Sequence, residues 1–409
     1  MKSLFLLCLL PILINAQNPS YFKVEQSSQN IDLISAITIQ NNSIFVCRAQ
    51  SSSFGQSYDL ILEKYQLDGQ LIQQKTIPWT FESILGLHWT MINTELVLWG
   101  STVLDSTDEG ALFWLKVDAN LTIADPNFYL LGQAFVEHFS IDQMQGLIYV
   151  GGSKQASLFA SSPFFLLIDQ NLQLLDSFEE QEAAWDVQGV IALADGYVLV
   201  GAGLWKYNMD HQLVNYQTLD NPELAKCTGV RTQDGKLLTL RQIFDWENGS
   251  KTMLLEHWDA DLNLLKTNVL SPSNVRAVKS NVIQLLSSGE YLISLYSSNS
   301  NIGFPFVLGK SKHHFLILNP SLNVIGQKTY SFEDYLYPCQ IIRGVNSIWS
   351  GGFKVEDSSS LSPYIYHVPM PWTIGIESTL DATESDWSTE GYTNLYSKSF
   401  TETKVQKNK

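Results

Sequence analysis

The side chains best suited to binding an anionic or glycan ligand lie far apart along the chain: His88, His138, Arg231, Gln284 and Arg343. Brought around one space, such imidazole, guanidinium and amide groups make a polar ring suited to an anionic or glycan ligand. Set against channel water or a neighbouring backbone, the same groups satisfy hydrogen bonds and recognise nothing. His313-His314 does not make a metal site, because neighbours on a strand point to opposite faces. The chain has no Gly-x-Ser-x-Gly elbow, His-Glu-x-x-His helix or phosphate-binding glycine loop, so no catalytic or metal-ligating residue is assigned and the cofactor stays unknown.

The elements that carry these residues emerge from an internal repeat. An apolar residue, Asp or Asn, two variable residues and Leu recur at Asp68, Asp118, Asp169, Asp210, Asp259 and Asn319, in steps of 50, 51, 41, 49 and 60 residues. A degenerate copy follows at Val368-Pro369-Met370-Pro371. Such aspartates occur once per repeat, as turn formers do, whereas a catalytic pair would gather at one place. Upstream of each lies a second turn, at Asn41-Asn42, Ile92-Asn93, Met144-Gln145-Gly146, Asp195-Gly196, Asp234-Gly235, Ser288-Gly289 and Val345-Asn346.

Two hairpins per fifty residues make a four-stranded antiparallel meander with two faces to bury, and radial closure buries both. The expected fold is therefore all-β: a β-propeller of about seven four-stranded antiparallel blades over residues 17–373, closed by Tyr21-Phe22-Lys23-Val24-Glu25 on the last blade. The innermost strands then hold Ser35, Thr38, His88, His138, Gln188, Thr228, Arg231, Gln284, Gln340 and Arg343. Of these, His88, His138, Arg231, Gln284 and Arg343 are the expected ligand-binding residues at the channel mouth.

An apolar strand ending near glycine and followed by a strand closing on Asp-Gly or a relative resembles the delta-60 and quinoprotein-like propeller repeats, over roughly residues 30–372. The resemblance implies an architecture and no single activity. Gly151-Gly152 and Gly351-Gly352 lack the spaced Tyr and Trp of Kelch repeats, and Ser106 to Phe113 is one imperfect likeness of a sialidase Asp-box.

Residues 1–16 run from Lys2 through an apolar stretch to Ala16 and read as a secretory signal peptide. Residues 374–409 are rich in Ser, Thr and Glu and are expected to be a polar, largely disordered tail. A formal net charge of −16 disfavours nucleic acid and anionic membrane partners, and no downstream run is long and apolar enough to span a bilayer. Sequons at Asn41, Asn120 and Asn248 suit a glycoprotein in the secretory lumen or outside the cell. Cys47, Cys227 and Cys339 remain after cleavage and permit at most one internal disulfide. These features lead to the expectation of a secreted, extracellular binding or scaffold module for a glycan or protein ligand. The alternative is a secreted hydrolase or quinoprotein-like enzyme with its site at the channel mouth.

Overall fold

The computed structural model describes residues 20–22, 31–369 and 388–391, less 53–56, 82, 105–108, 158–159, 181–185, 219–225, 246–249, 272–277, 287, 299–310, 333–335, 344–346 and 356–360. Its regular elements are all strands. After β1 (Ser20–Phe22), the first meander is β2 (Ile31–Gln40), β3 (Ser43–Ser51), β4 (Tyr58–Gln66) and β5 (Leu71–Phe81). The second is β6 (Ser83–Ile92), β7 (Glu95–Leu104), β8 (Glu109–Val117) and β9 (Asn127–Leu130). The third is β10 (Phe135–Met144), β11 (Leu147–Ser157), β12 (Ala160–Asp169) and β13 (Leu174–Glu179). The fourth is β14 (Val187–Leu193), β15 (Gly196–Gly201), β16 (Gly203–Asn208) and β17 (Leu213–Thr218). The fifth is β18 (Lys226–Arg231), β19 (Leu237–Asp245), β20 (Ser250–Trp258) and β21 (Leu264–Ser271). The sixth is β22 (Val278–Leu285), β23 (Tyr291–Ser298), β24 (Ser311–Leu318) and β25 (Val324–Phe332). The last is β26 (Leu336–Arg343), β27 (Ser347–Val355) and β28 (Leu361–Pro369), and β29 (Ser388–Gly391) follows.

Each meander is antiparallel, and β1 completes the last one by pairing with β28, Tyr21 opposite Tyr366. A single parallel bridge from Ile31 to Leu361 joins the first meander to the last. The first strands touch in the order β2, β6, β10, β14, β18, β22, β26, and β26 returns to β2. The chain is therefore a β-propeller whose first strands form the inner wall. The tail expected over 374–409 lies outside the described residues except for β29, which adds to the outer edge of β21.

Both faces of every sheet are buried, because strand residues alternate between the preceding and the following meander. Ile44 and Val46 pack against Trp349 and Ile365 of the last meander, while Phe45 and Cys47 pack against Leu96 and Leu98 of the second. Between the second and third, Trp99 stacks on Trp114 with ring centres 5.5 Å apart. A large buried side chain of this kind contributes roughly 2–3 kcal/mol by leaving water.

The turn between the third and fourth strands shows why the repeat keeps its Asp and its Leu. At Asp118, Asp169, Asp259 and Asn319, one side-chain oxygen accepts the N–H four residues on, at 2.7–2.9 Å. The Leu three residues on, Leu121, Leu172, Leu262 or Leu322, is buried at a φ of 54–66°. An L-residue rarely adopts that conformation, so the burial of the side chain holds the backbone there.

Two copies of the motif are corrected. In the fourth meander the acceptor is Asn208, which takes the N–H groups of Asp210 and Gln212 at 3.1 and 2.9 Å, and His211 takes the left-handed place at φ 57°. In the first, Gln66 begins the turn and Gly69 stands at φ 88°. Asp210 and Asp68 thus lie two residues past the position that their counterparts occupy.

We expect an inverted ranking at Leu262. Leu262→Ala should cost about 3 kcal/mol through the cavity it leaves, and Leu262→Gly about 1 kcal/mol less, because glycine relieves the left-handed backbone. Urea unfolding of the two variants checks this; a glycine variant less stable than the alanine variant would show that the backbone there is unstrained.

The same turns lock successive meanders together. A residue on the last strand of one meander donates to the turn carbonyl of the next: Gln73 to Asn120 at 2.8 Å, Asn215 to Asp261 at 2.5 Å and Lys266 to Ser321 at 2.9 Å. At the corresponding place in the third meander Asp176 lacks a donor and instead meets His211 Nε2 at 3.0 Å. His211 Nδ1 in turn meets the Tyr197 hydroxyl at 2.9 Å.

Candidate functional site

An inner strand has a partner strand on one side only, so its other edge must find hydrogen bonds elsewhere. Side chains one repeat away supply several of them. Ser140 Oγ accepts Val190 N–H at 2.8 Å, and Asp142 Oδ2 accepts Ala192 N–H at 2.8 Å. Ser101 Oγ donates to the Val136 carbonyl at 2.7 Å. Burial holds the Asp142 carboxyl above its ordinary range, opposed by the amides of Ala192 and Gln143 and by the Arg231 charge.

The structure brings some of the expected ring residues together and separates others. His88 and His138 stand on the touching strands β6 and β10, near enough for His138 to disfavour a charge on His88. Burial first, and His138 second, lower the His88 pKa to about 4. The His88 ring meets Phe139 edge-on, with centres 4.8 Å apart. Arg231 reaches past the fourth meander and donates to the Gln143 carbonyl at 3.2 Å. Gln284 donates to the Ile341 carbonyl at 2.7 Å, tying the sixth meander to the last. Arg343 ends β26, and its side chain lies outside the described residues.

Ser140, Asp142 and Gln143 were missed in the sequence, although a signal was there. His138, Ser140 and Asp142 alternate along β10 with Phe139 and Ile141, which belong to the apolar cluster between the second and third meanders.

Beside these residues a shallow cavity of about 130 Å³ opens between the turns of the second and third meanders, lined by Ile92, Asn93, Gln143, Gln145, Gly146 and Gln170. Asn93 Nδ2 donates to Gln170 Oε1 at 2.9 Å, and Gln143 Nε2 donates to the Met91 carbonyl at 3.1 Å. Asn93, Thr94, Gln145 and Gly146 all have positive φ, at 49–80°, as the tight two-residue hairpin turns require. The result is a rigid rim bearing carboxamides, groups that both donate and accept and so match sugar hydroxyls or peptide groups.

Among the described residues no group of three or more His, Cys, Asp or Glu is placed to hold a metal ion, and no helix is long and apolar enough to cross a membrane. Cys47 and Cys227 are buried free thiols, the Cys227 pKa pushed up to about 12 chiefly by burial. Cys339 lies in β26, with its side chain outside the described residues.

No protein-family model matches this chain, and no curated protein is similar to it in sequence. Solved structures resemble it loosely. The WD40 domain of SCAP from fission yeast is 11% identical, with 86% of this chain and 96% of that one covered at a TM-score of 0.44. The acylaminoacyl peptidase of Pyrococcus horikoshii is 8% identical, with 83% and 54% covered at 0.44. A subtype N10 neuraminidase-like protein of A/little yellow-shouldered bat/Guatemala/060/2010 is 10% identical, with 70% and 94% covered at 0.38. At overlaps this loose, the fold rests on the sheet order and inner-strand contacts of the chain itself.

Proposed function

We propose that this chain is a secreted, seven-bladed β-propeller that serves as a binding or scaffold module, with a glycan as the ligand its turn face suits best. The observation that carries the reading is the carboxamide-lined cavity between the second and third meanders. Around it, Asp142 and Arg231 are committed to backbone groups of other meanders. Groups so engaged hold the wall in shape, and the rim amides, each with more donor and acceptor capacity than the one bond it makes here, supply recognition.

The apolar run of residues 1–16 supports entry into the secretory pathway, and Asn41 and Asn120 are exposed turn residues able to carry glycans. Asn248 lies outside the described residues. The mature secreted chain should be screened on a glycan array and against extracellular protein. Asn93→Ala and Gln170→Ala should each weaken retention about fivefold to tenfold, the worth of one hydrogen bond. Binding that ignores both variants would move the site elsewhere on the propeller, and cleavage of the ligand would make the protein an enzyme.

A further inference from the structure

The cavity between the turns of the second and third meanders has two kinds of wall. Ile92 and Ile148, 3% and 1% exposed, line it as members of the apolar cluster that those meanders share. Asn93, Gln143, Gln145 and Gln170 line it from exposed positions at the mouth. No lining residue is charged, and Arg231, which donates to the Gln143 carbonyl, is not among them. An anionic ligand therefore finds no counter-charge in this cavity, and a neutral one suits it.

Gly146 brings the polar and apolar walls together. A Cβ there would come within 2.7 Å of Gln170 Nε2, so the missing side chain lets that amide lie against the turn of the third meander. Gln170 Oε1 accepts from Asn93 Nδ2 at 2.9 Å, which leaves Gln170 Nε2 as a donor and Asn93 Oδ1 as an acceptor on one bonded pair. A donor and an acceptor beside buried isoleucines complement a secondary amide that ends in a methyl group. Its carbonyl accepts from Gln170, its N–H donates to Asn93, and its methyl group meets Ile92 and Ile148. A hydroxyl sent to the same depth would lose water against the isoleucines and gain less in return.

Size points the same way. An apolar cavity of about 150 Å³ takes a molecule the size of benzene. One of about 130 Å³ takes the few heavy atoms of an acetamido group and leaves a hexose ring at the mouth, against Gln143 and Gln145. We infer that this cavity admits the acetamido group of a neutral N-acetylhexosamine, an assignment that rests on the cavity being the glycan site.

Saturation-transfer NMR and titration of the secreted protein with methyl N-acetylglucosaminide and methyl glucoside test this. The acetylated sugar should bind about tenfold more tightly, with the largest transfer at its acetyl methyl group. Gln170→Glu keeps the acceptor for Asn93 and removes the donor, so it should weaken the acetylated sugar about tenfold and leave the plain glucoside unchanged. Equal affinity for the two sugars, or transfer centred on the ring protons, would overturn the acetamido assignment and leave the cavity a glycan site. N-acetylglycine methylamide bound as tightly as the acetylated sugar would replace the sugar with a protein amide. Binding of neither sugar, nor of any glycan on the array, would overturn the glycan reading itself.

Discussion

Acidification from pH 6.5 toward pH 3 is expected to remove about 4 kcal/mol of stability through one buried imidazole, His314. Its pKa is lowered from 6.5 to about 3, first by burial, then by His313 and Lys312. On β24 it is 1% exposed, with Nδ1 3.0 Å from Thr329 Oγ1 on β25. The sign follows from the lowered value. Below pH 6.5 the unfolded chain takes up a proton that the folded chain refuses, so stability falls with pH until the folded imidazole is itself protonated.

Depressed carboxylates act lower on the scale. Asp234 is lowered to about 2, chiefly by its hydrogen bond to Lys236, so its contribution is present above pH 3.8 and is lost as pH falls toward 2. From pH 6.5 to about 4, where Asp142, held above its ordinary range, acts in the opposite direction, the loss therefore comes from histidine. His314→Gln removes that titration and should flatten the dependence by up to about 1.4 kcal/mol per pH unit, measured by urea unfolding at pH 7, 5.5 and 4. An unchanged slope would mean that water reaches the ring.

The second large effect is expected at Arg241. Arg241 and Glu256 are each 1% exposed and ion-paired on adjacent strands of the fifth meander, with Nε to Oε2 at 3.2 Å. Arg241→Met strands a buried carboxylate and should cost about 4 kcal/mol, whereas Arg241→Met with Glu256→Leu should recover most of the loss. Denaturant midpoints of the single and double variants decide the matter: a single-variant cost below about 1 kcal/mol would show that the pair is solvated.

The same two positions recur in the first meander, where Arg48 meets Glu63 at 2.9 Å and also Asp32 at 3.4 Å. Glu63 stands three residues before the turn residue Gln66, as Glu256 stands before Asp259. In the second meander Gly100 holds the arginine's position, and a Cβ there would come within 2.4 Å of the Phe113 ring. One place in the repeat is thus filled either by an ion pair or by an aromatic ring lying over glycine.

Much of the fold could be read from turns, because a turn states its requirement locally. Asn41-Asn42 sits at positive φ between β2 and β3, and Asp118, Asp169 and Asp259 cap the turns expected of them. Tyr21 and Phe22 close onto β28 as their place before the first meander suggests. The turn register at Asp68 and Asp210 misled because each lies two residues from a Gln or Asn able to begin the same turn.

The site was less legible because its contacts join residues about one repeat apart. Ser140 answers Val190, Asp142 answers Ala192 and Gln284 answers Ile341. Nothing in the local sequence of Gln284 says that it will reach a carbonyl on another sheet. Arg48 and Arg241 escaped for a related reason: a charged residue in a strand reads as solvated until the facing glutamate and the neighbouring sheet are known.

The turn locks run in one direction, with Gln73, Asn215 and Lys266 each reaching forward to the next meander. Such head-to-tail joints have no natural end until the row bends round to its own beginning. During folding, a row still open carries an unsatisfied apolar face at each extremity, and the two fit one another across molecules as well as within one. The seam where β1 pairs with β28 and Ile34 and Ile37 meet Trp349 and Ile365 is thus where the row meets its own beginning. Within one chain, that seam is where the last apolar face finds its cover.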